Sequence, residues 1–118
     1  MSSESKPPKR PLRTRRTTGD RLRSAVSELA EHQAQVLTHT EKNWASITFA
    51  GTRHSLALLF AGDEAVAAGE RFIAALAEHE FHIPGQLVAD AGIREVEHRL
   101  MPGPRMVVQC DLLLLDDA

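Results

Sequence analysis

Between Trp44 and Leu115 the spacing of apolar positions changes twice, and the changes predict a hairpin, a helix and a second hairpin. Ala45, Ile47 and Phe49 alternate with Trp44, Ser46 and Thr48; beyond Gly51-Thr52, Leu56, Leu58 and Phe60 alternate with Ser55, Ala57 and Leu59. A two-residue type II′ turn takes glycine at its first central position. Gly51-Thr52 is therefore expected to close the hairpin, pairing Ile47 with Leu56 and Ala45 with Leu58 and placing the larger apolar side chains on one face. From Asp63, a plausible N-cap, the period becomes helical: Val66, Gly69, Phe72, Ile73 and Leu76 form an inner stripe. Alanines at 65, 67, 68, 74, 75 and 77 raise helix propensity and allow close packing. The run is expected to reach His79 and to stop at His82-Ile83-Pro84-Gly85.

Leu87 to Leu100 reads as a strand that changes phase, with Leu87, Ala89, Ala91 and Ile93 on one parity and Val96, His98 and Leu100 on the other. A bulge near Gly92 reconciles them. After Met101-Pro102-Gly103-Pro104, a partner strand carries Met106, Val108, Cys110, Leu112 and Leu114 on one face. Upstream, Thr17 and Asp20 have the spacing of a capping box, and Leu22, Ala25, Val26, Leu29, Gln33 and Val36 recur as a helical stripe expected to fray by Thr38–Thr40. The expected fold is α+β: an N-terminal helix, then β-hairpin, helix and β-hairpin. The hairpins form a four-stranded, mainly antiparallel sheet with helix packed on one face.

Composition changes this picture at the N-terminus. Residues 1–23 carry eight basic side chains against Glu4 and Asp20, whereas the remaining 95 residues carry six basic against fourteen acidic. Residues 1–16 hold Pro7, Pro8 and Pro11, with Leu12 almost alone as an apolar side chain, and cannot bury enough surface to offset ordering entropies of roughly 1–2 kcal/mol per residue. The segment is read as a disordered basic tail on a single α+β domain spanning 17–118. It lacks the apolar stretch of a secretory signal, and no run approaches the ~20 residues of a membrane helix. A lone cysteine, Cys110, excludes an intramolecular disulfide. The expected location is the cytoplasm.

Candidate chemistry is sparse. There is no G-x-S-x-G, no glycine-rich phosphate loop and no CxxC. His79 and His82 sit three apart near a helix end, where the dipole favours such side chains without any metal. His98 and Cys110 can be drawn as a nucleophile pair, but on the expected core face Cys110 reads as a small hydrophobe. His54 reads as a rim residue at the hairpin end. No catalytic residue, metal ligand or cofactor is assigned.

The face opposite the helices mixes polar positions with Trp44, Leu59, Val107, Leu113 and Leu115, a composition closer to a protein interface than to bare solvated sheet. These five are expected to bind a partner. Lys9, Arg10, Arg13, Arg15 and Arg16 are expected to contact polyanions in a salt-dependent way. The functional expectation is a non-enzymatic protein–protein interaction module, dimerising or binding a partner through the sheet face, with a basic tail. Two alternatives stand beside it. One is a small-ligand binder or enzyme with a cleft built from His54, His79, His82 and His98. The other is a nucleic-acid accessory protein acting through the tail.

Overall fold

A computed structural model describes residues 16–117. The order is α1 (Thr18–Leu29), β1 (Gln35–Ala45), β2 (Ala50–Ala61), α2 (Asp63–Ala75), a single 3-10 turn (Leu76–Glu78), β3 (Gln86–Arg99) and β4 (Arg105–Asp116). The strands form one sheet in the order β1-β2-β4-β3, with all neighbours antiparallel. The expected α+β architecture is the observed one. An α-β-β unit occurs twice, and the second strand of each hairpin lies inside, so β2 pairs with β4 at the centre. β2 and β3 run in the same direction with β4 between them, and α2 makes the crossover.

The central pair is in continuous register from Gly51–Leu115 to Ala61–Arg105. Side chains alternate across a strand, so Leu56, Leu58 and Phe60 of β2 share a face with Met106, Val108, Cys110, Leu112 and Leu114 of β4, and all eight are buried. Both helices close this face. Leu22, Val26 and Ala30 at α1, and Ala65, Val66, Phe72 and Leu76 at α2, join the same core. The Phe60 and Phe72 rings lie 6.1 Å apart. Gly69 lets α2 approach closely, since a Cβ there would lie 2.4 Å from Met106 Cε and 2.9 Å from the Phe60 ring.

Several local expectations are corrected. The Thr17–Asp20 capping box is present in both directions, but α1 ends at Leu29 instead of fraying near Thr38–Thr40. Glu31 and His32 adopt left-handed φ values of 60° and 58°, and the His32 N–H donates to the Ser27 carbonyl. This is a helix-ending turn made without the usual glycine. The chain from Gln35, including Val36 and β-branched Thr38 and Thr40, becomes strand.

The first hairpin turns at Ser46–Phe49, not at Gly51-Thr52. Ser46 Oγ accepts from the N–H groups of Thr48 and Phe49, and the Ser46 N–H donates to the Phe49 carbonyl. Ile47 is therefore fully exposed at the tip, and Leu56 pairs with His39, not with Ile47; Leu58 pairs with Val36 instead of Ala45. Gly51 belongs to β2, where a Cβ would lie 2.1 Å from the Leu114 carbonyl oxygen. Its glycine marks a close backbone approach inside the sheet.

Downstream, Gly62 (φ 102°) occupies the N-cap of α2 and Asp63 is its first helical residue; regular helix stops at Ala75 instead of His79. β3 carries two irregularities, between Val88 and Asp90 and between Ile93 and Glu95, instead of one at Gly92. β1 has another between Val36 and Thr38. Bulges on both outer strands discourage edge-to-edge pairing with other chains.

Gly51→Ala is expected to destabilise the protein by about 3 kcal/mol, the upper end of the overpacking range, by urea denaturation. Gly92→Ala, which meets nothing within 4 Å, is expected to stay within about 0.5 kcal/mol of the parent or to gain slightly.

Candidate functional site

Two regions carry features beyond the core. The first is the sheet face that neither α1 nor α2 covers. The register sets its side chains in rows, each running β1, β2, β4, β3. Trp44, Gly51, Leu115 and Leu87 form one row, and Lys42, Arg53, Leu113 and Asp90 the next. Further along, Thr38, Ala57, Gln109 and Glu95 form a row, as do Gln35, Leu59, Val107 and Glu97. Trp44, Leu59, Val107, Leu113 and Leu115, singled out from the sequence, all lie on this face. Leu113 and Leu115 sit low between neighbours at 8% and 7% exposure, whereas Leu87 stands 58% exposed. Ser46 and Thr48, expected on this face, lie in the turn, and Thr38, Thr40 and Lys42 take their places. On this face Lys42 and Arg53 lie on β1 and β2, and β3 carries Asp90, Glu95 and Glu97 together with Arg99, which stands opposite Arg105 and pairs with Glu97 at 3.1 Å. Asp111 is paired with Arg94 at 3.4 Å.

The second region was not found from the sequence. The four-residue turn sets Glu41 opposite His54 and makes His39 a diagonal neighbour of His54 on the core side. His54, expected at a rim, is 1% exposed. Its Nδ1 lies 2.8 Å from His39 Nε2, and His39 Nδ1 lies 2.6 Å from a guanidinium nitrogen of Arg23 on α1. Asp20 holds the other side of Arg23. Arginine only donates, so His39 Nδ1 must accept. In the neutral pair the His39 proton then sits on Nε2 and is donated to His54 Nδ1. The His54 proton is left on Nε2, which is buried without a hydrogen-bond partner. Leaving such a group unpaired costs about 1–3 kcal/mol.

Glu41 approaches the same point from β1. A Cβ on Gly19 would lie 2.9 Å from Glu41 Oε2 and 3.3 Å from His39 Cε1. The bare second residue of α1 makes room for the carboxylate, and the positive end of the helix dipole favours it there. The three residues offer ligand atoms within 4.8 Å of one another, a spacing that could hold a metal ion. Burial holds both imidazole pKa values below the ordinary 6.5, with the Arg23 charge adding to the effect on each ring, the His39 ring adding to that on His54, and Glu41 opposing it. A sequence signal for this site existed in the alternation of Val36, Thr38 and Thr40, which marks 36–40 as strand, but it overlapped the apparent helical stripe.

The other candidates disperse. His79 and His82 are exposed beyond α2, where His79 packs edge-on against Phe81 with ring centroids 4.5 Å apart. His98 is exposed opposite Met106. These rings and His54 therefore share no cleft. Cys110 pairs with Leu56 and Ile93 in the core, away from His98, and burial pushes its thiol up to about 12. Of the expected polyanion contacts, Arg16 is described and bonds Ser24 and the Asp20 carbonyl. Lys9, Arg10, Arg13 and Arg15 lie outside the described residues, as does nearly all of the expected disordered tail. Among the described residues, no helix is long and apolar enough to cross a membrane. No protein-family model matches the chain, and neither curated proteins nor solved structures gave a match.

Two outcomes are expected. A group whose pKa is depressed by folding binds more protons when unfolded, so stability rises with pH. The urea midpoint, measured with a chelator present, should hold above about pH 7 and fall as pH drops through the unfolded histidine value toward about pH 5. A His39→Gln variant should show a shallower fall. Separately, a thiol reagent should label Cys110 in the native protein only at the rate of opening, and at once in denaturant. Rapid native labelling would contradict its placement in the core.

Proposed function

We propose that this protein is a non-enzymatic interaction module that pairs with a second copy of itself through the helix-free sheet face. The observation that supports this most is that an entire four-stranded face, carrying Trp44, Leu59, Leu87 and Val107, faces no other element among the described residues. Strands spaced ~4.8 Å and rising ~3.3 Å per residue over about eleven residues make a face of roughly 19 by 36 Å, or about 700 Å². That is close to the ~800 Å² per partner of a standard interface.

Charge selects the occupant. A two-fold axis lying between the faces, parallel to the strands, sets β1 of one copy over β3 of the other at the same height. Lys42 then lies opposite Asp90 of the second copy, while Glu95 and Glu97 of β3 meet the uncharged Thr38 and Gln35. Such an isologous contact satisfies each pair twice. The apolar row through Trp44, Leu115 and Leu87 supplies the burial, while the charges fix orientation more than affinity.

Sedimentation equilibrium is expected to show a concentration-dependent dimer. Leu87→Asp, tolerable in a monomer because the side chain is exposed, should weaken it by at least about tenfold, or ~1.4 kcal/mol. Lys42→Glu should also weaken it, and adding Asp90→Lys should restore it. A monomer at millimolar concentration, or a dimer indifferent to Leu87→Asp, would rule out self-association through this face.

A further inference from the structure

We propose that His39, Glu41 and His54 form a binding site for a divalent transition metal of the zinc class, closed over by the first turn of α1. Two imidazoles and a carboxylate are a donor set that suits zinc. The three side chains already converge within 4.8 Å. His39 Nε2 and His54 Nδ1, 2.8 Å apart, need to open only slightly, because two nitrogens ~2.0–2.1 Å from a tetrahedral ion stand about 3.3 Å from each other. Glu41 is exposed, so the ion has a way in from solvent, and its carboxylate brings the negative charge. The gap left by Gly19 keeps the helix from filling the space between the carboxylate and the His39 ring.

The proton accounting is simple. His54 Nδ1 accepts a hydrogen bond in the metal-free protein and needs no change of tautomer to become a ligand. His39 must move its proton from Nε2 to Nδ1, and no proton leaves the pair. That shift evicts Arg23, which donates to Nδ1 at 2.6 Å and cannot face an N–H. Asp20, the carboxylate that holds the other side of Arg23, is the acceptor proposed for the new Nδ1–H once Arg23 has moved. A metal-bound histidine normally donates its second N–H to such a group. In the metal-free protein Arg23 therefore occupies the second-shell position and competes with the ion. Metal entry releases α1 from the Arg23–His39 contact and re-attaches it through Asp20.

The test is calorimetric titration of the tag-free full chain with Zn²⁺ alone, supported by the visible spectrum with Co²⁺. One equivalent should bind, with a four-coordinate cobalt spectrum. His39→Gln and Glu41→Gln should each weaken binding by more than the ~10–100-fold typical of losing an outer-shell partner. Arg23→Ala should tighten it, a result that general destabilisation of the fold does not produce. His79→Gln with His82→Gln should leave it unchanged. No binding by the folded parent, or binding lost with the His79 and His82 changes but kept in His39→Gln, would overturn the site. Arg23→Ala with unchanged or weaker affinity would overturn the displacement of Arg23.

Discussion

The antiparallel pairing of β2 with β4 is the constraint on which the rest of the molecule depends. Because that ladder runs without a bulge from Gly51–Leu115 to Ala61–Arg105, a single parity sorts every side chain of the two inner strands. Even-numbered positions face the helices and odd-numbered positions face away. A slip of one residue would exchange Leu56, Leu58 and Phe60 for Ser55, Ala57 and Leu59, and no helix stripe would find an apolar partner. The outer strands have more freedom. They take up three register shifts between them, while the inner pair takes none.

The two candidate regions arise from this one division. On the helix side, most positions of β2 and β4 are hydrocarbon, and His54 is the one buried polar side chain among the described residues. Its position there is tolerated through a relay that begins in solvent-facing α1 and passes through Arg23 and His39. On the other side, the same alternation leaves a face that mixes apolar, polar and charged side chains, over which no second layer lies among the described residues. The helices cannot serve both faces, because each follows the hairpin geometry onto the same side. A two-layer fold of this size therefore presents one finished face and one open one.

Much of this was readable from residue order, and the failures have specific causes. The capping box at Thr17, the alanine-rich helix after Asp63 and the Pro-Gly-Pro loop after Leu100 each carry a local chemical signature that tertiary contacts reinforced. Parity along β2 and β4 was also legible, which is why Leu59, Val107, Leu113 and Leu115 fall on one face as expected; Trp44 of β1 joins them because the displacement of that strand is an even number of residues. The end of α1 was not legible, since left-handed Glu31 and His32 replace the glycine that normally announces such a stop. Gly51 misled in the opposite way: a glycine required by the nearby Leu114 carbonyl looks identical, in sequence, to one required by a turn. That single ambiguity displaced β1 by eight residues along its partner, from Ile47 to His39 opposite Leu56. The displacement hid the His39, Glu41 and His54 cluster, which exists only in the observed register.

The chain contains a single tryptophan, Trp44, at the apolar end of the open face, and it reports directly on whether that face is covered in solution. Its emission maximum and its quenching by a neutral quencher, followed over a wide dilution series, test the division into a closed and an open face. The account requires blue-shifted, protected emission in concentrated protein that moves to the red and becomes quenchable on dilution, while the far-ultraviolet circular dichroism stays constant. Emission and quenching that do not change with concentration would contradict it.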